Sequence, residues 1–242
     1  MNEAENLPRI LEGLPAGSPV LIVDAESTDE TVAIARAHGA EVVVRPWEGF
    51  VGTRRFAQNF VKTPWTFMID ADELLDESLR DALLAVDPQA NVDGYVMRRQ
   101  TFFCGRPITG CGWGDEAPLR LFRTTRAYLM PRPAAGGHAD VHEEWRVYGD
   151  VGRLRGTLLH DSYPTLAAYW AKFDRYTSLE AMGLKPTRFG AMRTVVTAFA
   201  RLPWLFFVRR GYHDGWRGAV IAFASALYPV VSLSKAMRPA PR

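Results

Sequence analysis

Short apolar runs alternate with stretches of helical period over the first third of the chain. Leu7, Ile10, Leu11 and Leu14 recur at helical spacing, so residues 2–14 read as a helix with Pro8 near its first turn. Pro19-Val20-Leu21-Ile22-Val23-Asp24 is a continuous apolar run closed by a carboxylate, the pattern of a buried strand. Ser27-Thr28-Asp29-Glu30 matches a capping box, with Ser27 as N-cap, and opens a helix that stops at Gly39. Glu41 to Arg45 reads as a second strand, Phe50 to Val61 as a second helix and Trp65 to Asp70 as a third strand. This strand–helix alternation predicts an α/β architecture with an open, mostly parallel sheet and right-handed crossovers.

The alternation ends near Val86, after a helix that Asp76 is placed to cap over Glu77 to Val86. Gly94 to Gln100 and Leu119 to Arg123 read as antiparallel strands bracketing a Gly-rich stretch, and Tyr163 to Met182 as a helix. Beyond it, Val195 to Val208 and Ala219 to Leu233 are strongly apolar, interrupted by Pro203 and Pro229 and flanked by arginines. From Arg188 onward nine Arg or Lys face one acid, Asp214. The organisation expected is therefore a catalytic-type domain over 1–185 with a mixed second half, then an apolar, basic helical tail over 186–242. No uninterrupted run reaches the roughly 20 apolar residues that span a bilayer. Two readings of the tail stay open: buried helices packed on the domain, or a segment lying on an anionic membrane leaflet with Trp204 and Trp216 near the headgroups.

Composition narrows the picture only a little. With 242 residues, 48% apolar and 23% charged, the chain is globular, and a net charge of +2 gives no field that would point to nucleic acid. Two cysteines, Cys104 and Cys111, are too few for a disulfide framework and fit a reducing compartment. The residues Met1 to Glu5 are polar and acidic, unlike a signal peptide.

The chemistry concentrates at Asp70-Ala71-Asp72-Glu73, which closes the third apolar run. Carboxylates delivered to the end of a buried strand are costly unless a cation meets them. Hard oxygen donors of this kind suit Mg²⁺ or Mn²⁺ held together with substrate phosphates. The alternative is an acidic loop that merely precedes the helix capped by Asp76. Asp24 ends a neighbouring strand and would face the same crevice, where a carboxylate can bind a base or ribose. Neither a dinucleotide fingerprint nor a P-loop is present, so phosphate charge would fall to a metal at the Asp-x-Asp pair. His138 and His142 with Cys104 and Cys111 invite a zinc reading, but their spacing is unlike a zinc knuckle. His160 reads as structural.

The chain resembles the inverting family-2 glycosyltransferases of GT-A fold, nearest to the branch that builds the lipopolysaccharide core. The resemblance rests on Asn2-Glu3 with Asn6-Leu7-Pro8, Val23-Asp24 with Ser27-Thr28-Asp29, Ala40 through Phe50, and Asp70 to Glu73. It continues through Leu119 to Arg123, Val141-His142-Glu143, His160 to Tyr163 and Gly211 to Gly215. It implies transfer of a sugar from a nucleotide-diphosphate donor, UDP-glucose-like, to a lipopolysaccharide-core or lipid-linked glycan acceptor. Asp24 and Asp29 would hold the nucleoside. Asp72, helped by Asp70, would hold Mg²⁺ or Mn²⁺, with His142 as a third ligand. Arg120 and Arg123 would contact the donor diphosphate. The base on the acceptor hydroxyl would be Glu143, with Asp115 the second choice. The resemblance also implies a cytoplasmic enzyme, peripheral on the inner face of the plasma membrane.

In such enzymes a strand precedes the Asn-Glu motif, and here Met1 directly precedes Asn2, so the first strand of the sheet is expected to be missing. Two rival functions follow: a degenerate nucleotide-sugar-binding protein at the membrane, and a nucleotidyltransferase. The latter would bring a glycine-rich basic loop near the amino terminus, and none is found.

Overall fold

A computed structural model of the protein describes residues 1–114, 116–131 and 143–237. Asn2 takes a left-handed φ of 59°, and the chain then turns into α1 (Leu7–Gly13) with Pro8 in its first turn, where a missing N–H costs nothing. β1 (Leu21–Asp24), α2 (Thr31–Ala37) and β2 (Glu41–Val44) follow as a parallel unit, Leu21 opposite Glu41 through Asp24 opposite Val44. Leu7, Ala35 and Ala40 form its buried centre, with Ile22, Ile34 and Val42 packed around them.

The expected capping box does not form, because Ser27 is engaged elsewhere. Ser27 Oγ accepts the Asn2 N–H, and the Ser27 N–H goes to the Asp24 carboxylate. Asp29 instead accepts from Thr31 N, so α2 begins later than the pattern suggested.

After α3 (Gly49–Gln58) come β3 (Trp65–Phe67), β4 (Glu73–Leu75) and α4 (Glu77–Leu84). Asp76 caps α4 as expected, accepting from Leu79 N. The remaining strands are β5 (Gly94–Phe103), β6 (Arg106–Pro107), β7 (Leu119–Arg123), β8 (Ala127–Pro131), β9 (Glu143–Val147) and β10 (Val151–Tyr163). They build a six-stranded sheet of order β3-β7-β5-β10-β4, with β6 paired to β5, while β8 and β9 form a separate antiparallel ribbon.

β1 and β2 pair in parallel, and the neighbours β5 and β10 also run the same way, with Asp93 N bonded to the Asp150 carbonyl at one end and Cys104 N to the Tyr163 carbonyl at the other. β3 does not extend the β1–β2 pair but runs antiparallel to β7, Trp65 opposite Arg123. The mostly parallel sheet expected from alternation thus becomes a mixed one: the third strand's partner comes from the second half of the chain, and local periodicity cannot report a partner. The antiparallel β5–β7 pair was legible, and it brings Tyr95 opposite Leu121.

The chain divides into two compact units. The first comprises Met1–Arg99, Ala117–Pro131 and Glu143–His160. Its sheet buries Leu79, Met97, Leu121 and Leu158 on one side, while Phe122 stacks on Trp145 at 4.5 Å within a second cluster that includes Val51 and Leu129.

The second unit contains Gln100–Glu116 and everything from Asp161 on that is described. α5 (Leu166–Ala181) and α6 (Arg188–Pro203) are both N-capped by threonines, Thr165 and Thr187. α6 runs on into a π-helical turn, Trp204–Val208. A left-handed Arg210 and a short 3₁₀ turn lead to α7 (Gly215–Ala236). Phe103, Ile108, Tyr169, Leu205, Ile221, Ala222 and Ala224 form the core of this unit. The tail is therefore half of a domain, packed with the Gly-rich stretch and α5.

The two prolines do not interrupt these helices as the sequence reading assumed. Pro203 sits where α6 passes into its π turn, and Pro229 lies inside α7. Arg188–Val208 and Gly211–Ala236 are consequently long and apolar enough to cross a bilayer by length and composition. They differ in packing. α7 buries Gly218, Ile221, Ala222, Ala224, Ala226 and Ser232, as a core helix does. α6 turns Phe189, Met192, Val196 and Phe199 outward, with Phe189 73% and Phe199 77% exposed.

Candidate active site

Two clusters of predicted residues lie in the first unit. At the carboxyl end of β1, Asp24 is buried and accepts the Ser27 N–H with both oxygens at 3.1 Å. Asp29 accepts from Ala4 N at 3.1 Å and from Thr31 N at 3.0 Å, and its carboxyl is held below the usual range chiefly by the Thr31 hydroxyl. Asn2 Oδ1 accepts the Thr28 N–H, and Glu3 N donates to Thr31 Oγ1. The segment that opens the chain and the β1–α2 loop are thereby laced into one surface carrying Asn2, Asp24 and Asp29. α1 leaves this surface and packs against β4, and α3 packs against β1.

The second cluster is the Asp70–Glu73 turn between β3 and β4. The turn closes on itself: Asp70 N donates to Glu73 Oε2 at 3.0 Å, and Glu73 N to the Asp70 carbonyl at 3.1 Å. Glu73 is fully buried, and its charge is met by Arg120 Nη2 at 2.5 Å and Arg99 Nη1 at 3.3 Å. The same Arg120 nitrogen reaches Asp70 Oδ2 at 2.8 Å, while Arg54 from α3 takes Asp70 Oδ1 at 2.5 Å. Burial by itself would raise the Asp70 pKa, but the Arg120 and Arg54 guanidinia overcome it and hold the carboxyl well below its ordinary value. Burial likewise works against the charge on Arg120, and the Asp70 and Glu73 carboxylates reverse the effect, so its pKa is raised.

The expected diphosphate contacts of Arg120 and Arg123 take a different form. Arg120 is only 5% exposed and forms the floor of the acidic turn, with Met68 Sδ as a further contact. Arg123 pairs with Asp93, donates to the carbonyls of Val92, Pro88 and Ala90, and lies over the Trp65 ring. Both guanidinia work within the fold, because strand β7 directs them into it.

Asp72 is half-buried beside His160. β4 pairs with β10 so that Glu73 lies opposite His160, and this register places His160 Nε2 3.3 Å from Asp72 Oδ2. A carboxylate and an imidazole side by side form an oxygen–nitrogen donor pair of the kind Mn²⁺ accepts, with substrate phosphates and water completing a coordination sphere. Among the described residues no group of three or more His, Cys, Asp and Glu is arranged to hold a metal by itself. Asp70, engaged by two arginines, braces this turn.

Asp115, His138 and His142, and the side chain of Glu143, lie outside the described residues. The backbone of Glu143 opens β9 opposite Pro131. Sequence reasoning missed Arg54, Arg99 and the role of His160. Only the last carried a signal, as part of the His160-Asp161-Ser162-Tyr163 segment; the arginines are brought in by sheet register and helix packing alone.

The profile described as Glycosyl transferase family 2 matches residues 1–132, more than half of the chain, and the protein belongs to that family. It is a glycosyltransferase, and the membership supports the GT-A class expected from the sequence. Among its relatives, an uncharacterized glycosyltransferase of Rickettsia bellii (strain RML369-C) is 42% identical over 252 residues, covering 97% of this chain and 82% of that protein. The lipopolysaccharide core biosynthesis glycosyltransferase LpsC of Rhizobium meliloti (strain 1021) is 28% identical over 255 residues, covering 97% of this chain and 88% of that one. Among solved structures, S. aureus TarS 1-349 in complex with UDP-GlcNAc matches at 14% identity and a TM-score of 0.47, over 95% of this chain and 79% of that one.

Two outcomes test the acidic turn. Arg120→Met leaves Glu73 buried with Arg99 as a remaining partner, and is expected to cost about 3–5 kcal/mol in chemical denaturation; a loss under about 1 kcal/mol would sink the account. Asp70, whose folded pKa is depressed, contributes stability in full above the unfolded carboxyl value of about 3.9, and the contribution is lost as pH falls below it. Asp70→Asn should therefore be less stable than the wild type at neutral pH, yet show a shallower decline in stability below about pH 4.

Proposed function

We propose that the protein transfers a sugar, with inversion, from a UDP-glucose-like donor to a lipopolysaccharide-core or lipid-linked glycan acceptor, assisted by Mg²⁺ or Mn²⁺. The observation that carries this reading is the Asp72–His160 pair, 3.3 Å apart, in a turn whose Asp70 and Glu73 carboxylates are paired with arginines. The guanidinia of Arg54, Arg99 and Arg120 offset the repulsion that crowded carboxylates would otherwise feel, so a cation at Asp72 and His160 need not neutralise all three acids. The nucleoside is assigned to the surface of Asn2, Asp24 and Asp29, at the carboxyl end of β1 where open α/β sheets bind ligands.

Asp72 and His160 would hold the cation, with His142 as a further candidate ligand. When bound, the cation neutralises charge on the departing nucleoside diphosphate. The protein must then supply one base that accepts the proton of the acceptor hydroxyl. Glu143 is the first candidate and Asp115 the second. The similarity to LpsC, a protein named for lipopolysaccharide core biosynthesis, supports a core or lipid-linked glycan as the acceptor class.

The outward face of α6 supports a peripheral position on an anionic inner leaflet. Phe189, Met192, Val196 and Phe199 follow one another at spacings of three or four, and Phe207 and Val208 extend the exposed apolar surface to 65% and 66% exposure. Arg188, Arg193, Arg201, Arg209 and Arg210 flank it, the composition of a helix lying in a membrane interface with basic side chains toward headgroups.

A Mn²⁺-dependent UDP-sugar hydrolysis assay tests the donor site. Asp72→Ala should lower the rate by roughly 100-fold and His160→Ala by roughly 10–100-fold, with matching losses of Mn²⁺ affinity read by EPR. Wild-type rates in Asp72→Ala would overturn the reading. Flotation with vesicles containing anionic lipid tests the membrane face. The triple change Phe189→Ser, Val196→Ser and Phe199→Ser should weaken partitioning by about 100-fold or more, and unaltered flotation would exclude α6 as the contact.

A further inference from the structure

Trp47, in the loop between β2 and α3, keeps 46% of its surface exposed. A lone exposed apolar side chain needs no explanation in itself. This one is held in place. Its ring meets that of Phe50, in the first turn of α3, edge-on at 4.9 Å. On either side of it in the chain, Arg45 and Glu48 pair with one another, and the Arg45 guanidinium also lies 3.8 Å from the centre of the Phe56 ring. Gly49, at a φ of 80°, makes the turn into α3 in the left-handed region that suits glycine. The loop thus presents a flat, braced ring, and its two charged residues answer each other.

The position of the ring follows from the parallel β1–β2 pair. Asp24 lies opposite Val44, and Arg45 N donates to the Asp24 carbonyl at 2.9 Å, so the loop leaves the sheet at the strand end that carries Asp24. Trp47 comes two residues after Arg45, which keeps its backbone within about 12 Å of that carbonyl. From Phe50 the contacts continue along α3. Arg54 lies 5.9 Å from the centre of the Phe50 ring and pairs with Asp70. Trp47, Phe50, Arg54 and Asp70 therefore form one run, which begins near the Asp24 surface and ends in the acidic turn.

A nucleotide-sugar is a linear ligand, with base, ribose, diphosphate and sugar in that order. With its diphosphate at Asp72 and its nucleoside at Asp24 and Asp29, its base lies at the Asp24 end. The acceptor approaches the opposite end, where the sugar is. A ring on the Asp24 side is placed to meet the base and not the acceptor. The chemistry of the loop agrees. A phosphate or carboxylate gains little from a guanidinium already paired, whereas a flat heteroaromatic base stacks on an indole face. Asp24 and Asp29 can accept hydrogen bonds, but they offer a base no apolar surface.

We infer that Trp47 is the stacking platform for the nucleobase of the donor, completing a nucleoside site whose polar half is Asp24 and Asp29. The inference rests on the proposed reading of that surface as the nucleoside site. Because every base has a π face, the ring adds affinity without choosing between bases.

Calorimetric titration of the full chain with UDP and with pyrophosphate, each in the presence of Mn²⁺, separates the nucleoside from the phosphates. UDP should bind the wild type more tightly than pyrophosphate. Trp47→Ala should weaken UDP by about 10-fold, the loss of one base–aromatic stack, and leave pyrophosphate unchanged. Trp47→Phe, which keeps a flat ring, should recover most of the loss. In saturation-transfer NMR the uracil protons of bound UDP should lose intensity relative to the ribose protons in Trp47→Ala. The side chain is exposed, so its replacement empties no core. Unchanged UDP affinity in Trp47→Ala would overturn the inference while leaving the nucleoside site standing. Equal losses for UDP and pyrophosphate would also overturn it, since they would mark a merely structural role. Wild-type binding of UDP no tighter than that of pyrophosphate would remove the nucleoside site itself, and this inference with it.

Discussion

A buried carboxylate must be compensated where it sits, and in this protein that requirement organises the first unit. Glu73 is fully enclosed, and Arg120, itself nearly so, answers it and Asp70 with one guanidinium nitrogen. Leaving either partner alone in the interior would cost several kcal/mol. β3, β4 and β7 are therefore tied together through the turn that carries Asp72. Arg54 from α3 and Arg99 from β5 complete the set, so five segments converge on one acidic loop. The loop's geometry is a property of the whole first unit.

This arrangement explains how a glycosyltransferase can carry three carboxylates within four residues. If all three faced solvent or a cation together, their repulsion would favour protonation or an open loop. Neutralising Asp70 and Glu73 from below separates two jobs that the sequence alone merges into one motif. Two carboxylates hold the turn in place. The third lies beside His160. The second unit solves a different problem with aromatic packing. Rings of α5 and α7 meet edge-on there, and a long helix keeps its apolar face turned outward.

Much of the local structure was legible. Continuous apolar runs marked β1 and β2, the Asp76 cap marked α4, and alternating patterns marked the antiparallel β5–β7 pair. Asp24 and the Asp70–Glu73 turn stood out because carboxylates at the ends of apolar runs demand a physical explanation. The misreadings share one cause. Ser27 looked like an N-cap, but the Asn2 N–H, 25 residues away, reached its hydroxyl instead. Arg120 and Arg123 were read as donor contacts, and a strand pattern could not show the protein partners that both also have. Pro203 and Pro229 looked like breaks, whereas helix packing and a π turn accommodated them.

By itself, then, the sequence determined the family, the α/β beginning, the basic apolar end and the acidic turn, since each depends on residues close together in the chain. Only the tertiary structure decided which partners each acid of that turn meets. It alone brought His160 to Asp72 through the β4–β10 register, and it alone showed α7 as core and α6 as surface. Those outcomes depend on contacts between residues far apart in sequence. Whether a charged or apolar side chain is neutralised, buried or presented is set by the partners that folding delivers to it.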